Sequence, residues 1–399
     1  MNVRASLRIV RSLSALAALL ALVSGCAGSG AGRPAPPTPP AASADLAAGE
    51  PACENDVLTG FSELLVVTPH PDDEVLGFAG LIDAYLDQGK RVRVVVSSDG
   101  DAYCDACRFW KSGSVRGPTC SAADLSNFAT SEIDSFAEVR RSESSAALDI
   151  LGAPAPIFLG YPDTGLAAAW ANHQSGDLDA PLRRSDFSRC TDCETCAGGY
   201  GEGPATELSA ATLVASLEEL IGGSATDALV ATTHRLDGHG DHAGLGQLVE
   251  TVNASLEQPR AIAFGVIHAH TPKDQTHPDC WYPQPTAPIC PCADQDRAAA
   301  DPEWLASVRS VRLRPDLPAH LPDDADYGEE TQLCLAEDLV RGEDAKKLAA
   351  VNAYASQLGF AAREGELPPG LGGLIDCNGY LISFVRRTEA FFLMRPDAE

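Results

Sequence analysis

The chain has 399 residues, enough for one large domain or two smaller ones, and its 45% hydrophobic and 21% charged residues are ordinary globular usage, which excludes disorder throughout. Its 29 Lys and Arg against 56 Asp and Glu give a formal charge of −27, which repels phosphate backbones and excludes a basic stripe for nucleic acid. The surplus reads as a solubilising surface rather than a site for a partner.

At the N-terminus, Arg4, Arg8 and Arg11 precede an apolar run from Leu13 to Val23 that is too short to span a bilayer, so residues 1–25 read as an export signal. The segment Val23-Ser24-Gly25-Cys26 resembles a bacterial lipobox. That implies cleavage before Cys26, lipidation of its thiol and anchoring in the bacterial cell envelope; a plain secretory signal cut nearby is the alternative. Residues 26–50, rich in Pro, Ala and Gly, read as a flexible tether.

From residue 51 onward, apolar runs alternate with helical periodicity, the pattern of a Rossmann-like, mostly parallel α/β sheet with helices on both faces. Strands are expected at Leu64–Val67, Val92–Val96, Ile157–Leu159, Ala228–Ala231 and Ile262–Ile267. Helices are expected at Leu76–Gln88, Ile133–Leu151, Glu207–Ile221 and Leu245–Leu256. Residues 101–131, 167–206 and 272–335 are rich in Gly, Pro, Cys and Asp and read as cysteine-rich insertions in a single domain over 51–399. Twelve of the 13 cysteines remain once Cys26 is set aside, an even number that reads as disulfides in an exported protein. A metal site at Cys190, Cys193 and Cys196 is the weaker alternative there, since it needs reduced thiols. Phe384, Phe391 and Phe392 are expected to pack against the sheet.

Ligands bind beyond the carboxyl ends of strands in open α/β sheets, and the polar residues of this chain gather there. His70, Asp72 and Asp73 follow the first strand, Asp99 the second, Tyr161 and Asp163 the third, His234 to His242 the fourth, and His268 ends the fifth. The turn Thr68-Pro69-His70-Pro71-Asp72-Asp73-Glu74 has no glycine triplet, and its carboxylates would repel a pyrophosphate, which disfavours nucleotide cofactors. The i, i+3 spacing of His70 and Asp73 can aim an imidazole and a carboxylate at one point. Taken alone, Asp72 and Asp73 could equally be helix N-cap residues.

The second half of a metal site comes from His234-Arg235-Leu236-Asp237-Gly238-His239-Gly240-Asp241-His242, where His239 and His242 are again i, i+3 and one can ligate while the other faces the same cavity. A solvated histidine-rich loop is the alternative for an isolated segment of this kind. Two histidines and one aspartate leave Zn2+ an open position for water, which is hydrolytic chemistry.

Pro-His-Pro-Asp-Asp-Glu early and His-x-Asp-His late resemble the LmbE/PIG-L family of N-acetylglucosaminyl deacetylases. Ser98-Asp99-Gly100, Arg140-x-x-Glu143, Gly160 to Leu166 and Lys347 to Gln357 carry the resemblance further. It implies His70, Asp73 and His242 as zinc ligands, Asp72 as general base, and His239 as the group that polarises the carbonyl or protonates the leaving amine. It also implies sugar contacts from Arg140 and Asp163, with His268 a further substrate-binding candidate. The function it implies is removal of an N-acetyl group from an amino-sugar glycoconjugate or oligosaccharide by a zinc-activated water. Gly240, where the family often has Pro, loosens the turn but removes no ligand. A carbohydrate-binding lipoprotein with a non-catalytic zinc site, a hydrolase of a non-sugar amide and a two-metal phosphoesterase are the rival readings.

Overall fold

The structure is a computed structural model that describes residues 53, 55–100, 135–182, 208–268, 330–341, 345–354, 357, 381 and 384–396. Cys26, the export signal, the tether and nearly all of the cysteines lie outside the described residues. In chain order the elements are α1 (Asn55–Thr59), β1 (Glu63–Thr68), α2 (Asp73–Asp87), β2 (Arg91–Ser98), α3 (Ser135–Leu151), β3 (Ile157–Tyr161), α4 (Leu166–Ser175), α5 (Ala210–Gly222), β4 (Leu229–Thr233), α6 (Gly240–Ser255), β5 (Ala261–Gly265), β6 (Glu330–Cys334), α7 (Glu337–Val340), α8 (Lys346–Asn352) and β7 (Thr388–Met394).

The strands form one sheet in the order β3-β2-β1-β4-β5-β7-β6. Strands β1 to β5 are parallel neighbours, whereas β7 runs antiparallel to both β5 and β6. Side chains alternate faces along a strand, so β1 feeds two cores. Leu64 and Val66 join α2, α3 and α8 on one face, and Leu65 and Val67 join α4, α5 and α6 on the other. Because both faces are covered, every residue of β1 is buried, which explains its continuous apolar run.

Three stretches differ from the sequence expectation. The start of the expected 167–206 insertion is helix α4, whose Ala-rich sequence favours a helix and which stops at Gly176, held at φ 79°. The end of the 272–335 insertion is the edge strand β6, whose Glu-Thr-Gln-Leu-Cys buries only alternate positions. Phe391 and Phe392 lie within the sheet itself, as part of β7, where Phe391 meets Phe78 at a ring distance of 5.8 Å. Cys53 and Cys334 are brought together with Cα atoms 5.5 Å apart, a span that suits a disulfide.

Candidate active site

Strand β1 has β2 on one side and β4 on the other, so the chain switches direction across the sheet between β1 and β4. Beyond their carboxyl ends lies the crevice where open α/β sheets bind ligands. Both helices that follow begin at the site. Asp72 occupies the N-cap position of α2 and Asp73 its first turn, while His239 is the N-cap of α6 and Asp241 and His242 lie in its first turn. The two motifs are therefore brought face to face by adjacent strands.

Asp72 holds the capping position, yet its side chain makes no capping hydrogen bond. Its backbone sits at φ 130°, ψ −35°, a region costly for a residue with a Cβ and one that the surroundings must over-determine. Those surroundings are visible. The Asp72 amide donates to Glu74 Oε2 at 2.9 Å, its carbonyl accepts from Val75 and Leu76, and Arg140 Nη2 reaches Asp72 Oδ2 at 3.3 Å and Pro71 O at 2.5 Å. Glu74 is itself fully buried and accepts hydroxyls from Ser144 and Tyr354, each at 2.5 Å.

At the centre, His70 Nδ1, Asp73 Oδ2 and His242 Nε2 form a triangle with every side 3.2 Å. A tetrahedral zinc centre with bonds of about 2.0–2.1 Å holds its ligand atoms roughly 3.3–3.4 Å apart. The triangle thus fits one face of such a centre, and its donor set of two imidazoles and a carboxylate suits the ion. Around it, His239 stands with its ring centroid 5.0 Å from those of both His70 and His242, and the His268 ring is 4.6 Å from His242 and 5.3 Å from His239. Among the described residues, potential ligand atoms converge within 4.8 Å in three overlapping sets: His70, His239 and His242; Asp73, His242 and His268; and His70, Asp163 and Asp241.

The outer nitrogens of the two triangle histidines face carboxylates. His70 Nε2 lies 3.2 Å from Asp163 Oδ1 and 3.4 Å from Asp241 Oδ2, and His242 Nδ1 lies 3.5 Å from Asp237 Oδ2. Asp241 also accepts backbone N–H groups from Thr164, Leu166 and Ala167, which pins the start of α4 to the site. These contacts set the charges. Burial opposes protonation of His242, but the Asp73 and Asp237 carboxylates outweigh it and raise the group to about 9. Burial together with the charges on His242 and His70 lowers His239 to about 4. Burial and then the neighbouring Asp73 charge push Asp72 well above the usual carboxylate range, against Arg140.

Of the residues assigned from sequence, His70, Asp72, Asp73, Asp163, His239, His242 and His268 gather here and Arg140 reaches the site through Asp72, while Cys26 lies outside the described residues. Arg140 is buried with its guanidinium on Pro71, Gly100 and Asp72, and Asp163 meets the outer nitrogen of His70. His234 packs edge-on against Phe264 and Phe392, and its Nδ1 accepts the Leu236 amide, a structural posture. Asp99 is held by both arms of Arg141 at 2.7 Å. Sequence reading assigned no role to Glu74 or Asp241, although both lie inside the quoted motifs; apart from the Asp72 amide on Glu74, the backbone and hydroxyl groups that they accept come from distant segments and leave no local signal.

Residues 65–253 match the family PIG-L: GlcNAc-PI de-N-acetylase. A 1D-myo-inositol 2-acetamido-2-deoxy-alpha-D-glucopyranoside deacetylase of Mycobacterium sp. (strain KMS) is 36% identical over 123 residues, which is 30% of this chain and 35% of that protein. The protein of the same name from Mycobacterium tuberculosis (strain ATCC 25177 / H37Ra) is 31% identical over 126 residues, 31% of this chain and 37% of the relative. The matches thus span little more than a third of the length of these curated relatives. Among solved structures, an N,N'-diacetylchitobiose deacetylase from Pyrococcus horikoshii is 16% identical, with coverage of 85% of this chain and 86% of that one and a TM-score of 0.40.

Proposed function

From the match of residues 65–253 to the PIG-L: GlcNAc-PI de-N-acetylase family, we propose that this chain is a metal-dependent hydrolase that removes an N-acetyl group from an amino-sugar-containing substrate. The observation that carries the reading is the 3.2 Å triangle of His70 Nδ1, Asp73 Oδ2 and His242 Nε2, with Asp72 directly before the ligating aspartate. A divalent cation held there, which we read as zinc, supplies a Lewis acid and brings the pKa of a bound water toward neutrality.

The remaining work falls to side chains. Asp72 accepts the proton of the attacking water and returns it to the amine nitrogen as the C–N bond breaks, leaving acetate and the free amine, and the raised basicity that burial and Asp73 give its carboxyl suits this role near neutral pH. Arg140, Glu74 and the backbone contacts around Asp72 fix the carboxyl in place, so little reorganisation accompanies the transfer. His239 Nδ1 accepts the Asp241 amide at 3.3 Å, which leaves the proton of the neutral ring on Nε2. With its pKa held near 4, the ring stays neutral at pH 7 and can donate that N–H to the acetamide oxygen as charge develops. The amino-sugar part of the reading is supported by the substrate named for the mycobacterial relatives; we keep the sugar beside Asp163 and His268, whereas Arg140, buried on Pro71, Gly100 and Asp72, serves the reading by holding Asp72. Export and a lipid anchor at Cys26 belong to the same proposal.

The test is to produce residues 51–399 under oxidising conditions, quantify bound metal, and assay amine release from N-acetylglucosamine and chito-oligosaccharides with and without a chelator. About one zinc per chain and chelator-sensitive amine release is the expected result. A chain that binds no divalent cation would overturn the assignment of the centre, and binding of sugar with no amine release from any acetylated glycan would favour a carbohydrate-binding protein.

A further inference from the structure

The chain between β4 and α6 carries a carboxylate whose contacts exceed what a loop turn needs. Asp237 has a side chain with no solvent exposure. Its Oδ1 accepts the His239 amide at 2.9 Å, and its Oδ2 accepts the amides of Ile267 at 2.8 Å and His268 at 3.0 Å. Three backbone donors from two separate segments leave this carboxylate a single orientation. In that orientation Oδ2 faces His242 Nδ1 at 3.5 Å. His242 Nδ1 is buried and, among the described residues, makes no hydrogen bond of ordinary length.

A neutral imidazole carries one proton on one of its two nitrogens. If Nε2 of His242 gives its lone pair to a cation, the proton must sit on Nδ1, and among the described residues the acceptor it faces is Asp237. Ligating histidines usually donate their outer N–H to such a partner, which fixes tautomer and ring orientation. The same carboxylate holds the amide of His239, the second histidine of the motif, and the amide of His268 at the end of β5. One side chain thereby sets three imidazoles around the centre, one through its ring and two through their backbone.

We propose that Asp237 is a positioning residue that holds His242 as an Nε2 ligand and, through the His239 amide, sets the distance between the cation and His239. This rests on the metal-centre reading given above and adds to it the group that makes His242 a competent ligand. The choice of Asp is chemical. All three of the backbone groups and the His242 ring present donors to it, so an isosteric amide must turn its NH2 toward at least one N–H in either orientation.

The test compares the full mature chain with Asp237→Asn, reading zinc affinity by competition with a chelating dye and thermal stability of the metal-free protein. Imidazole ¹⁵N spectra of the unmutated zinc-loaded chain form the second arm, and they depend on no variant. The expected results are a loss of zinc affinity of about 10–100-fold in Asp237→Asn and a His242 ring with its proton on Nδ1 and protected from solvent exchange. A merely structural role would lower metal-free stability and leave the affinity unchanged. Zinc affinity equal to that of the unmutated chain, or a His242 ring coordinated through Nδ1, overturns the assignment of Asp237 while leaving the metal centre intact. Failure of the unmutated chain to bind zinc overturns the centre and this inference together. Should Asp237→Asn not fold, the spectra of the unmutated chain decide alone.

Discussion

His70 Nδ1, on the loop after β1, and His242 Nε2, in the first turn of α6 172 residues later, stand 3.2 Å from each other with Asp73 Oδ2 equidistant from both. Without a cation this arrangement is held by protons. Burial works against charging His70, yet Asp163, Asp241 and Asp73 raise it well above the ordinary histidine value, and Asp73 with Asp237 likewise lifts His242 to about 9. On the proposed reading the site exchanges protons for metal, and two consequences can be measured.

Both imidazoles of the metal-free chain have raised proton affinity, so zinc uptake near pH 7 is expected to release roughly one to two protons per ion. Calorimetric titration of zinc in buffers of different ionisation enthalpy reads that number. The stability sign follows from a folded-state pKa above the unfolded one. For His242 the contribution is fully present below about pH 6.5 and is lost as pH rises through about 9. Melting of the metal-free chain is expected to fall across that window, while the zinc-loaded chain, whose ligands are already neutral, falls less. Uptake with no proton released at pH 7 would show that the triangle is not the binding site.

Asp72 offers a cleaner separation of binding from chemistry. It is not a vertex of the triangle, and its backbone at φ 130° favours asparagine as the replacement, since Asn and Asp tolerate positive φ better than other residues with a Cβ. Asp72→Asn is expected to retain zinc while turnover falls by about 10²–10⁴-fold, the range for loss of a general base. Elemental analysis beside an amine-release assay measures both. Full activity in this variant would sink the proposed role.

Much of this centre was legible before folding because its pieces are local. Strands β1 and β4 are buried on both faces and therefore written as unbroken apolar runs, and each motif follows its strand directly, so a glance along the chain finds them. The N-cap alternative for Asp72 was right about position and silent about the side chain, which points elsewhere. What stayed hidden is non-local. Asp237 meets the amides of Ile267 and His268, and Asp241 meets the start of α4, contacts that residue type and spacing cannot announce. Strand β6 was hidden for another reason: an edge strand with alternate burial and two polar positions looks like the loop before it.

The last relationship lies behind the site, where Lys347 of α8 and Glu389 of β7 form a buried pair at 2.7 Å against the middle of α2. Lys347 Nζ donates to the Leu76 carbonyl at 3.2 Å, and Glu389 accepts the amides of Gly80 at 2.8 Å and Leu81 at 3.2 Å. A regular helix pairs Leu76 O with Gly80 N, so the ion pair reaches both groups of one rung of the helix that presents Asp73. Gly80 makes room for it: a Cβ there would come within 2.6 Å of Leu335 and 2.9 Å of Glu389. Removing one partner strands the other in a dry interior, so Lys347→Met is expected to cost about 3–5 kcal/mol at pH 7. Burial already raises the Glu389 pKa, and Lys347 is what restrains it. Its further rise in the variant means that the folded chain takes up a proton more readily than the unfolded one, so the deficit should shrink as pH falls toward 5. Adding Glu389→Gln, which keeps an acceptor for the Gly80 amide, should recover part of the loss. Urea midpoints at pH 5 and 7 test all three statements, and a loss below about 1 kcal/mol at pH 7, the scale of an exposed pair, would mean that the pair contributes no more than a surface contact.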